Sequence, residues 1–454
     1  MNPACSPLDR SALAATVSAI VAAQPVTDLH THVFSPAFGV NPDPSQAGID
    51  GHSTGGGGTG GTGGLFLWGI DELLTYHYLI AEVFRVVTNK ELPTWSFFSM
   101  TKAQQADHIW KHLFVERTPM SEACRGVVTT LTKLGLDPHE KTLDGYRAWF
   151  AQQNPSEYVD RVMKLANVDQ ITMTNEVFSD HERELWMHHA EPLLSDPRFA
   201  SVLRIDKMII DWPAATKVLR EMGYDVKPDF SGMTIDEGKR FLTDWLDRMK
   251  AVYVATSLPP DFQYPTPPPQ RNASDRVIRE MLMPVLAERN MPWAIMVGVT
   301  RQVNPALRDA GDMLGTADIV VVTNLARQFP DNRFMVTMLA RENQHALAVA
   351  ARKFGNILPF GCWWFLNNPS LIEEITRMRL ELLGTTMVPQ HSDARIIEQL
   401  IYKWDHSRKI ITKVLTDKYA DLADSGYRVS EDQIRRDVAM LLRENYRRFV
   451  GLPV

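Results

Sequence analysis

The feature that most constrains the fold is a regular alternation of short apolar runs with helical patterns. A first strand-like run opens at Pro25-Val26 and ends at His32. Seven further runs rich in β-branched residues follow at Val168–Met173, Phe199–Arg204, Val252–Thr256, Trp293–Val299, Arg333–Met338, Ile357–Gly361 and Thr386–Val388. Such alternation is typical of parallel strands, and eight strand–helix units predict an α/β fold of the closed, TIM-type (β/α)8 barrel class.

Helical stretches are predicted between these strands. They cover Asp180–Leu194, Trp212–Met222 with Ile235–Met249, Ser274–Asn290, Ala317–Gln328, Arg341–Phe354, Ser370–Leu383 and Ala394–Leu415. One part of this set is ambiguous, because Asp318–Thr323 carries enough β-branched residues for a strand. It continues into a helical pattern at Leu325–Gln328, so we predict a helix there.

About 135 residues separate the first strand from the second, which is far more than a single crossover needs. Helical patterns fill most of this stretch, at Leu65–Val87, Lys102–Leu134 and Ser156–Ala166. We therefore predict one catalytic barrel domain over residues 1–454, with a loop and a helical insertion over residues 33–165. The glycine-rich run Gly55–Gly64 lacks the lysine and preceding strand of a phosphate-binding loop, and is expected to be a flexible spacer or a lid.

Composition excludes several classes of protein. The 454 residues carry a net charge of −6 with a pI near 6.1, which gives no reason to expect nucleic acid or an anionic membrane surface as partner. No apolar run is long enough to span a membrane. The cysteines (Cys5, Cys124 and Cys362) form no CxxC pair, which fits a cytoplasmic protein. The apolar segment Ala12–Ala23 is predicted to be a helix on the barrel floor, not a signal peptide.

Two histidines end the first predicted strand, and an aspartate follows the last one. In an extended strand His30 and His32 point to the same side, because side chains alternate with a period of two. Neutral imidazole suits Zn, Cu, Fe or Ni. In a closed barrel the first and last strands are neighbours, so Asp393 is predicted to join the two histidines at one metal ion.

The ends of the other strands supply further polar groups, as expected for a barrel whose active site lies at that rim. These positions hold four arginines, two tryptophans and several other polar residues. They are Asn175, Glu176, Arg204, Asp206, Arg301, Arg341, Trp363, Trp364, His391 and Arg395. Arginine binds carboxylate and phosphate groups through two parallel hydrogen bonds. The rim therefore predicts an anionic substrate.

Five segments together resemble the uronate isomerases of the amidohydrolase superfamily. They are His30-Thr31-His32, Leu74-Thr75-Tyr76-His77-Tyr78, Val202-Leu203-Arg204-Ile205-Asp206-Lys207, Gly361-Cys362-Trp363-Trp364-Phe365-Leu366-Asn367-Asn368 and Gln390-His391-Ser392-Asp393-Ala394-Arg395. The resemblance runs in matching order over nearly the whole predicted barrel. It implies an aldose–ketose isomerase of carbohydrate metabolism that converts D-glucuronate to D-fructuronate and D-galacturonate to D-tagaturonate.

The resemblance also implies roles for individual residues. His30, His32 and Asp393 would hold a divalent metal, with zinc expected. Asp393 or Tyr78 would carry a proton between C2 and C1, and His77 would orient or acidify the tyrosine. Three arginines would hold the uronate carboxylate, and two tryptophans would give the sugar a flat wall: Arg395, Arg204, Arg341, Trp363 and Trp364.

The chain also departs from the family pattern. Met296-Val297-Gly298 stands where a His-x-Gly is expected, and Thr174-Asn175-Glu176 replaces a Thr-Asp-Asp-like segment. No lysine follows the fourth strand, so a binuclear hydrolase site is not expected. Two alternatives remain: a mononuclear metal-dependent hydrolase or decarboxylase acting on a sugar acid, and a non-catalytic sugar-acid-binding barrel. We expect a homo-oligomer, and the preferred epimer and the physiological metal stay open.

Overall fold

A computed structural model describes residues 10–40, 53–54, 58–59, 64–267 and 272–454. Most of the glycine-rich run lies outside these residues. The described strands are β1 (Val26–Thr31), β2 (Ser53–Thr54), β3 (Gly58–Thr59), β4 (Val168–Met173), β5 (Phe199–Ala200), β6 (Leu203–Arg204), β7 (Val254–Leu258), β8 (Trp293–Val297), β9 (Val299–Thr300), β10 (Met313–Leu314), β11 (Phe334–Met338) and β12 (Ile357–Pro359).

The longer strands pair in parallel. One sheet has the order β1-β4-β5, and another has the order β12-β11-β8-β7-β6. A parallel bridge between Asn175 and Leu203 connects the end of β4 to β6, and another joins Phe360 to Val388 beyond β12. The short pairs β2–β3 and β9–β10 are antiparallel. The structure is therefore a mixed α/β fold built on parallel sheets.

Helices occupy most of the chain between the strands. They are α1 (Arg10–Ala23), α2 (Ile70–Leu74), α3 (His77–Val86), α4 (Thr94–Phe97), α5 (Lys102–Trp110), α6 (Glu122–Leu134), α7 (Asp144–Phe150), α8 (Pro155–Ala166), α9 (Asp180–Leu193), α10 (Asp206–Ile210), α11 (Trp212–Glu221), α12 (Thr234–Met249), α13 (Ala273–Arg276), α14 (Met283–Glu288), α15 (Val320–Gln328), α16 (Gln344–Lys353), α17 (Pro369–Leu383), α18 (Gln399–Asp424), α19 (Glu431–Ala439) and α20 (Asn445–Val450). Among the described residues, no helix is both long and apolar enough to cross a membrane.

Local sequence signals fix where the helices start. The side chain of Asn368 accepts a hydrogen bond from the backbone N–H of Leu371, and Pro369 occupies the first turn of α17. Asn154 and Pro155 begin α8 in the same way. A side-chain acceptor followed by proline satisfies or removes the free N–H groups of a first turn. The start of α17 lies five residues after Trp364.

Strand residues alternate between two buried clusters. Ala294 and Met296 of β8 pack in an inner cluster with residues of neighbouring strands, whereas Ile295 packs in the larger cluster that includes the helices. All five residues of β8 and all five of β11 are buried. Strands covered on both faces are typical of parallel sheets with helical layers. Inside the inner cluster, the hydroxyl of Tyr253 donates to the carbonyl of Leu29 (2.7 Å).

Several predicted elements differ from the observed ones. The predicted helix Leu65–Val87 is wrong as one element, because Thr75 and Tyr76 separate α2 from α3. The predicted strand Thr386–Val388 is wrong as well, since Val388 makes only a single bridge. The ambiguous segment Asp318–Thr323 contains no strand, and α15 begins within it at Val320, which confirms the predicted helix there.

The contact between α6 and α18 generates a stability prediction. A Cβ atom on Gly126 would lie 2.6 Å from the ring of Tyr402, so Gly126→Ala must displace that ring. We expect a loss of about 1–3 kcal/mol in the free energy of unfolding, measured as a lower thermal midpoint. Gly145→Ala on α7 is the control, because nothing lies within 4 Å of its Cβ position. Equal midpoints for the two variants would contradict the close packing.

Candidate active site

The two histidines of the first strand and Asp393 converge on one point. The Nε2 atom of His30 lies 3.5 Å from Oδ1 of Asp393, and Nε2 of His32 lies 3.6 Å from the same oxygen. One ligand atom from each of the three residues lies within 4.8 Å of the others. Residues more than 360 positions apart therefore form one compact cluster.

Backbone contacts between β1 and the segment after residue 388 build this cluster. Asp393 donates its N–H to the carbonyl of His30 (3.2 Å), and His32 donates to the carbonyl of Ala394 (2.6 Å). Asp393 itself has a φ of 51°, a left-handed conformation that is uncommon for a residue other than glycine. Such strained residues occur often at active sites, where the surroundings hold them in place.

Buried polar groups behind the cluster hold both strands in position. The carboxylate of Asp28 accepts from the backbone N–H of Ser392 (3.1 Å) and from Nε1 of Trp404 (2.8 Å). Lys403 donates from Nζ to the carbonyl of Ser392 (2.6 Å). The Nδ1 atom of His30 lies 3.2 Å from Oγ1 of Thr174, which leaves Nε2 facing Asp393. Thr174 thus sets the orientation of the His30 ring, and the bonds to Ser392 fix the backbone next to Asp393.

Burial determines the charge states of these groups. It lowers the pKa of His30 to about 3 and that of His32 well below 6.5, so both imidazoles are neutral at pH 7. Burial also raises the pKa of Asp393 to about 7, and the positive charge of Lys403 opposes that shift. Neutral imidazoles next to a carboxylate present three lone pairs to the same point.

One side of the cavity consists of a buried arginine and its carboxylates. Arg204 donates from Nε and Nη2 to Oδ2 of Asp206 (2.9 and 2.5 Å), and Glu176 lies 3.7 Å away. Burial works to lower the pKa of Arg204, but the two carboxylates outweigh it and the pKa is raised. Burial raises the pKa of Glu176 to about 8. Most of the positive charge of Arg204 is therefore balanced within the protein.

Arg395 differs from Arg204 in its environment. It lines the same cavity, and its guanidinium has no ion-pair or hydrogen-bond partner among the residues that the structure describes. Its backbone N–H donates to Oε1 of Gln399 (2.8 Å), which fixes the start of α18. An unpaired guanidinium at the wall of a cavity is a binding group for an anion.

The helices between β1 and β4 close the opposite side. The break between α2 and α3 leaves Tyr76 extended, and both Tyr76 and His77 line the cavity. Trp364 lies edge-on to His77 with ring centroids 5.3 Å apart. The ring of Tyr78 packs edge-on against Tyr76 at 4.8 Å, behind the lining residues. Its hydroxyl is buried and has no hydrogen-bond partner among the described residues.

The structure brings most of the predicted site residues together. The cavity is lined by eight of them: His30, His32, His77, Arg204, Trp363, Trp364, Asp393 and Arg395. Tyr78 lies behind this lining. Arg341 lies outside it, exposed, with Nη2 2.9 Å from Oε1 of Glu374. The predicted role of Arg341 as a carboxylate ligand has no support in this position, because its side chain turns to a neighbouring helix.

Sequence reasoning missed other residues of the cavity. The wall also contains Tyr76, Ser257, Met296, Arg301, Asp309 and Asp312. Arg301 had a signal, since it follows a predicted strand and was named among the rim residues, but no binding role was assigned to it. Met296 lies inside the predicted strand Trp293–Val299 and had none. Tyr76 had a weaker one in its place beside His77. Lys403, which donates to the carbonyl of Ser392 behind the cluster, had no signal, because it is one lysine in a long helix.

The residues present fit a divalent metal ion. Nε2 of His30 and Oδ1 of Asp393 are buried polar atoms with no hydrogen-bond partner among the described residues. Unpaired polar atoms inside a protein are costly and rare, and an ion between them would satisfy both. Imidazole and carboxylate are common ligands of such ions. The His30–His32–Asp393 cluster is therefore a candidate metal centre with room for further ligands.

His30→Ala should remove most of the bound divalent ion from protein saturated with zinc and then dialysed, because one of three ligands is lost. Elemental analysis measures the metal content, and circular dichroism checks the fold. The matched control is His188→Ala, an exposed histidine paired with Glu184. Unchanged metal content in His30→Ala would contradict the assignment of the cluster.

Comparison with known proteins adds an independent observation. No protein-family model matches the chain, and no curated protein matches it significantly. Among solved structures, a uronate isomerase from Bacillus halodurans C-125 is 48% identical, covers 99% of this chain and 98% of its own, and superimposes with a TM-score of 0.89.

Two more distant structures share the fold. A uronate isomerase from Thermotoga maritima is 13% identical, with 98% of each chain covered and a TM-score of 0.71. A glucuronate isomerase from Caulobacter crescentus is also 13% identical, with 99% of this chain and 95% of its own covered and a TM-score of 0.69. The 48% identity over almost the full length of both chains goes further than the fold. This chain belongs to the uronate isomerase family.

Proposed function

We propose that the protein is an aldose–ketose isomerase that interconverts a uronate, D-glucuronate or D-galacturonate, with its keto form. The observation that carries the proposal is one cavity that joins the His30–His32–Asp393 cluster to the unpaired guanidinium of Arg395. A uronate has a carbonyl carbon at one end and a carboxylate at the other. The cavity offers a group of matching chemistry to each end.

Unsatisfied polar atoms support a polar ligand in this cavity. Besides His30 and Asp393, buried atoms without a partner among the described residues include Nε2 of His77, the hydroxyl of Tyr78 and Nε1 of Trp364. Buried polar groups are normally hydrogen-bonded, so such a concentration around one cavity indicates a ligand with many oxygens. A sugar acid meets that requirement.

The carboxylate of the substrate is assigned to Arg395. Arg204 is bonded to Asp206 through two nitrogens, so a substrate carboxylate would compete there with a resident one. Arg395 has no such competitor among the described residues. A charge-assisted pair with an unpaired guanidinium is the stronger of the two options. Arg204 lines the cavity with its charge already paired to Asp206.

The reaction requires a proton to leave C2 and to be returned at C1. When held by His30, His32 and Asp393, a divalent ion, zinc in our proposal, supplies the Lewis acidity that makes the C2 proton easier to remove. Asp393 or Tyr78 carries the proton: Asp393 lines the cavity, and Tyr78 lies directly behind the lining residue Tyr76. His77, whose ring is 4.5 Å from that of Tyr78, orients the phenol.

The aromatic wall supports a carbohydrate substrate. Trp364 stacks on Phe365 with ring centroids 4.8 Å apart and lies 6.2 Å from Trp363. The flat faces of such rings pack against the C–H groups of sugars, and a polar rim then fixes the orientation. The alternatives, a hydrolase or decarboxylase and a non-catalytic binding protein, are not favoured by the similarity to uronate isomerases.

We further propose that the parallel strands close into one (β/α)8 barrel, with residues 33–165 inserted after β1. The bridges Asn175–Leu203 and Phe360–Val388 support continuity between the sheets. The hydrogen bonds from Asp393 to His30 and from His32 to Ala394 support closure onto β1. The active site would then occupy the carboxyl ends of the strands, where barrel enzymes carry it.

Arg395→Met should raise KM for D-glucuronate and D-galacturonate roughly 10- to 100-fold, since a charge-assisted hydrogen-bonded pair contributes about 1.5–3 kcal/mol. Steady-state kinetics of keto-sugar formation measure the effect. The control is Arg240→Met, an exposed arginine of α12 paired with Glu237. An unaltered KM would place the carboxylate elsewhere, and wild-type protein without keto-sugar formation would contradict the proposed function.

Tyr78→Phe keeps the ring and its packing but removes the transferable proton. We expect kcat to fall roughly 10²- to 10⁴-fold, the usual contribution of general acid–base catalysis, with KM and metal content little changed. Tyr76→Phe is the paired variant, because this neighbouring phenol lines the cavity. A larger loss in Tyr76→Phe would transfer the role to Tyr76. Near-wild-type turnover in both variants would leave Asp393 as the sole proton carrier.

A further inference from the structure

A short antiparallel ribbon over the cavity brings Arg301 and Asp312 together. In this ribbon Thr300 of β9 pairs with Met313 of β10, so the two charged residues adjoin the paired positions. Nη1 of Arg301 donates to Oδ2 of Asp312 at 2.6 Å. The backbone N–H of Gln302 donates to Oδ1 of the same carboxylate (2.8 Å). The ribbon therefore holds an oriented ion pair.

This ion pair forms part of the cavity wall beside the aromatic residues. Both Arg301 and Asp312 line the cavity, and the guanidinium carbon of Arg301 lies 6.0 Å from the centre of the Trp364 ring. The Asp312 side chain is almost fully buried at 2% exposure, whereas that of Arg301 keeps 42%. The carboxylate is thus the fixed partner, and the guanidinium is the group that a ligand can reach.

The pairing leaves Arg301 without net charge to offer. A substrate carboxylate at Arg301 would have to displace or face the negative charge of Asp312, whereas Arg395 presents no such obstacle. A uronate has one carboxylate and several hydroxyl groups. A hydroxyl both donates and accepts, so it can bond to a guanidinium N–H and to a carboxylate oxygen at once. An arginine–aspartate pair matches that combination.

We propose that the Arg301–Asp312 pair binds hydroxyl groups of the uronate chain and determines which epimer is preferred. The proposal rests on the uronate isomerase function and assigns specificity within that site. Nη1 is bonded to Asp312, so the other N–H groups of Arg301 face ligand oxygens. Asp312 fixes the direction in which those N–H groups point, and Trp364 covers the apolar side of the chain. D-Glucuronate and D-galacturonate differ at C4, so the two present this pair with different hydroxyl directions.

The test compares kcat/KM for D-glucuronate and D-galacturonate in wild-type protein and in Arg301→Met. We expect kcat/KM for the preferred epimer to fall 10- to 100-fold and the ratio between the epimers to shrink towards one. A site that hydrogen-bonds a hydroxyl discriminates strongly against a substrate that leaves it unpaired. Arg395→Met should instead lower kcat/KM for both epimers by the same factor. Arg240→Met controls for the loss of an exposed arginine.

Arg301→Lys is the second variant, and metal content with circular dichroism confirms that each variant is folded. Lysine keeps the charge but loses the planar donor set, so hydroxyl recognition should remain impaired. Full activity in Arg301→Lys, or an equal loss for both epimers in Arg301→Met, would show charge recognition and overturn the proposal. Unchanged kinetics in Arg301→Met would also overturn it. Wild-type protein inactive on both uronates would contradict the proposed function itself.

Discussion

The buried carboxylate of Asp28 connects the first strand to the segment that carries Asp393. It lies two residues before His30 and accepts hydrogen bonds from Ser392 and Trp404. Because Ser392 directly precedes Asp393, these bonds fix the aspartate relative to the histidines of β1. A buried carboxylate is costly unless it is hydrogen-bonded, so the arrangement holds only while both donors are present. The geometry of the metal cluster depends on it.

Around this centre, two arginines of the cavity wall are paired with aspartates of the protein, and one is unpaired. Arg204 and Arg301 have resident aspartates, Asp206 and Asp312, whereas Arg395 has no partner among the described residues. A cavity with several unpaired cations would bind any anion tightly and without orientation. One unpaired cation in the same cavity as a metal-binding cluster gives a substrate with a single carboxylate one preferred direction.

The sequence predicts those parts of the structure that local patterns determine. Strand β4 matches its prediction from Val168 to Met173, because a β-branched run between clear helix ends has one interpretation. The break at Thr75 and Tyr76 was missed because apolar spacing continues through it. Arg301 and Arg341 both follow strands, and only their partners separate them: Asp312 holds one in the cavity, and Glu374 holds the other outside. These partners lie 11 and 33 positions away in the sequence, so no local pattern reveals them.

The central claim is proton transfer between C2 and C1 of a uronate in this cavity. The most direct measurement is NMR spectroscopy of the metal-loaded protein with D-glucuronate and D-galacturonate in deuterated water. We expect the keto sugar to form. If the base exchanges its proton with solvent, the keto sugar carries deuterium at C1, and the remaining substrate gradually gains deuterium at C2. A keto sugar without deuterium at C1 would show that the base returns the same proton before it exchanges with solvent. No keto sugar from either uronate would contradict the account.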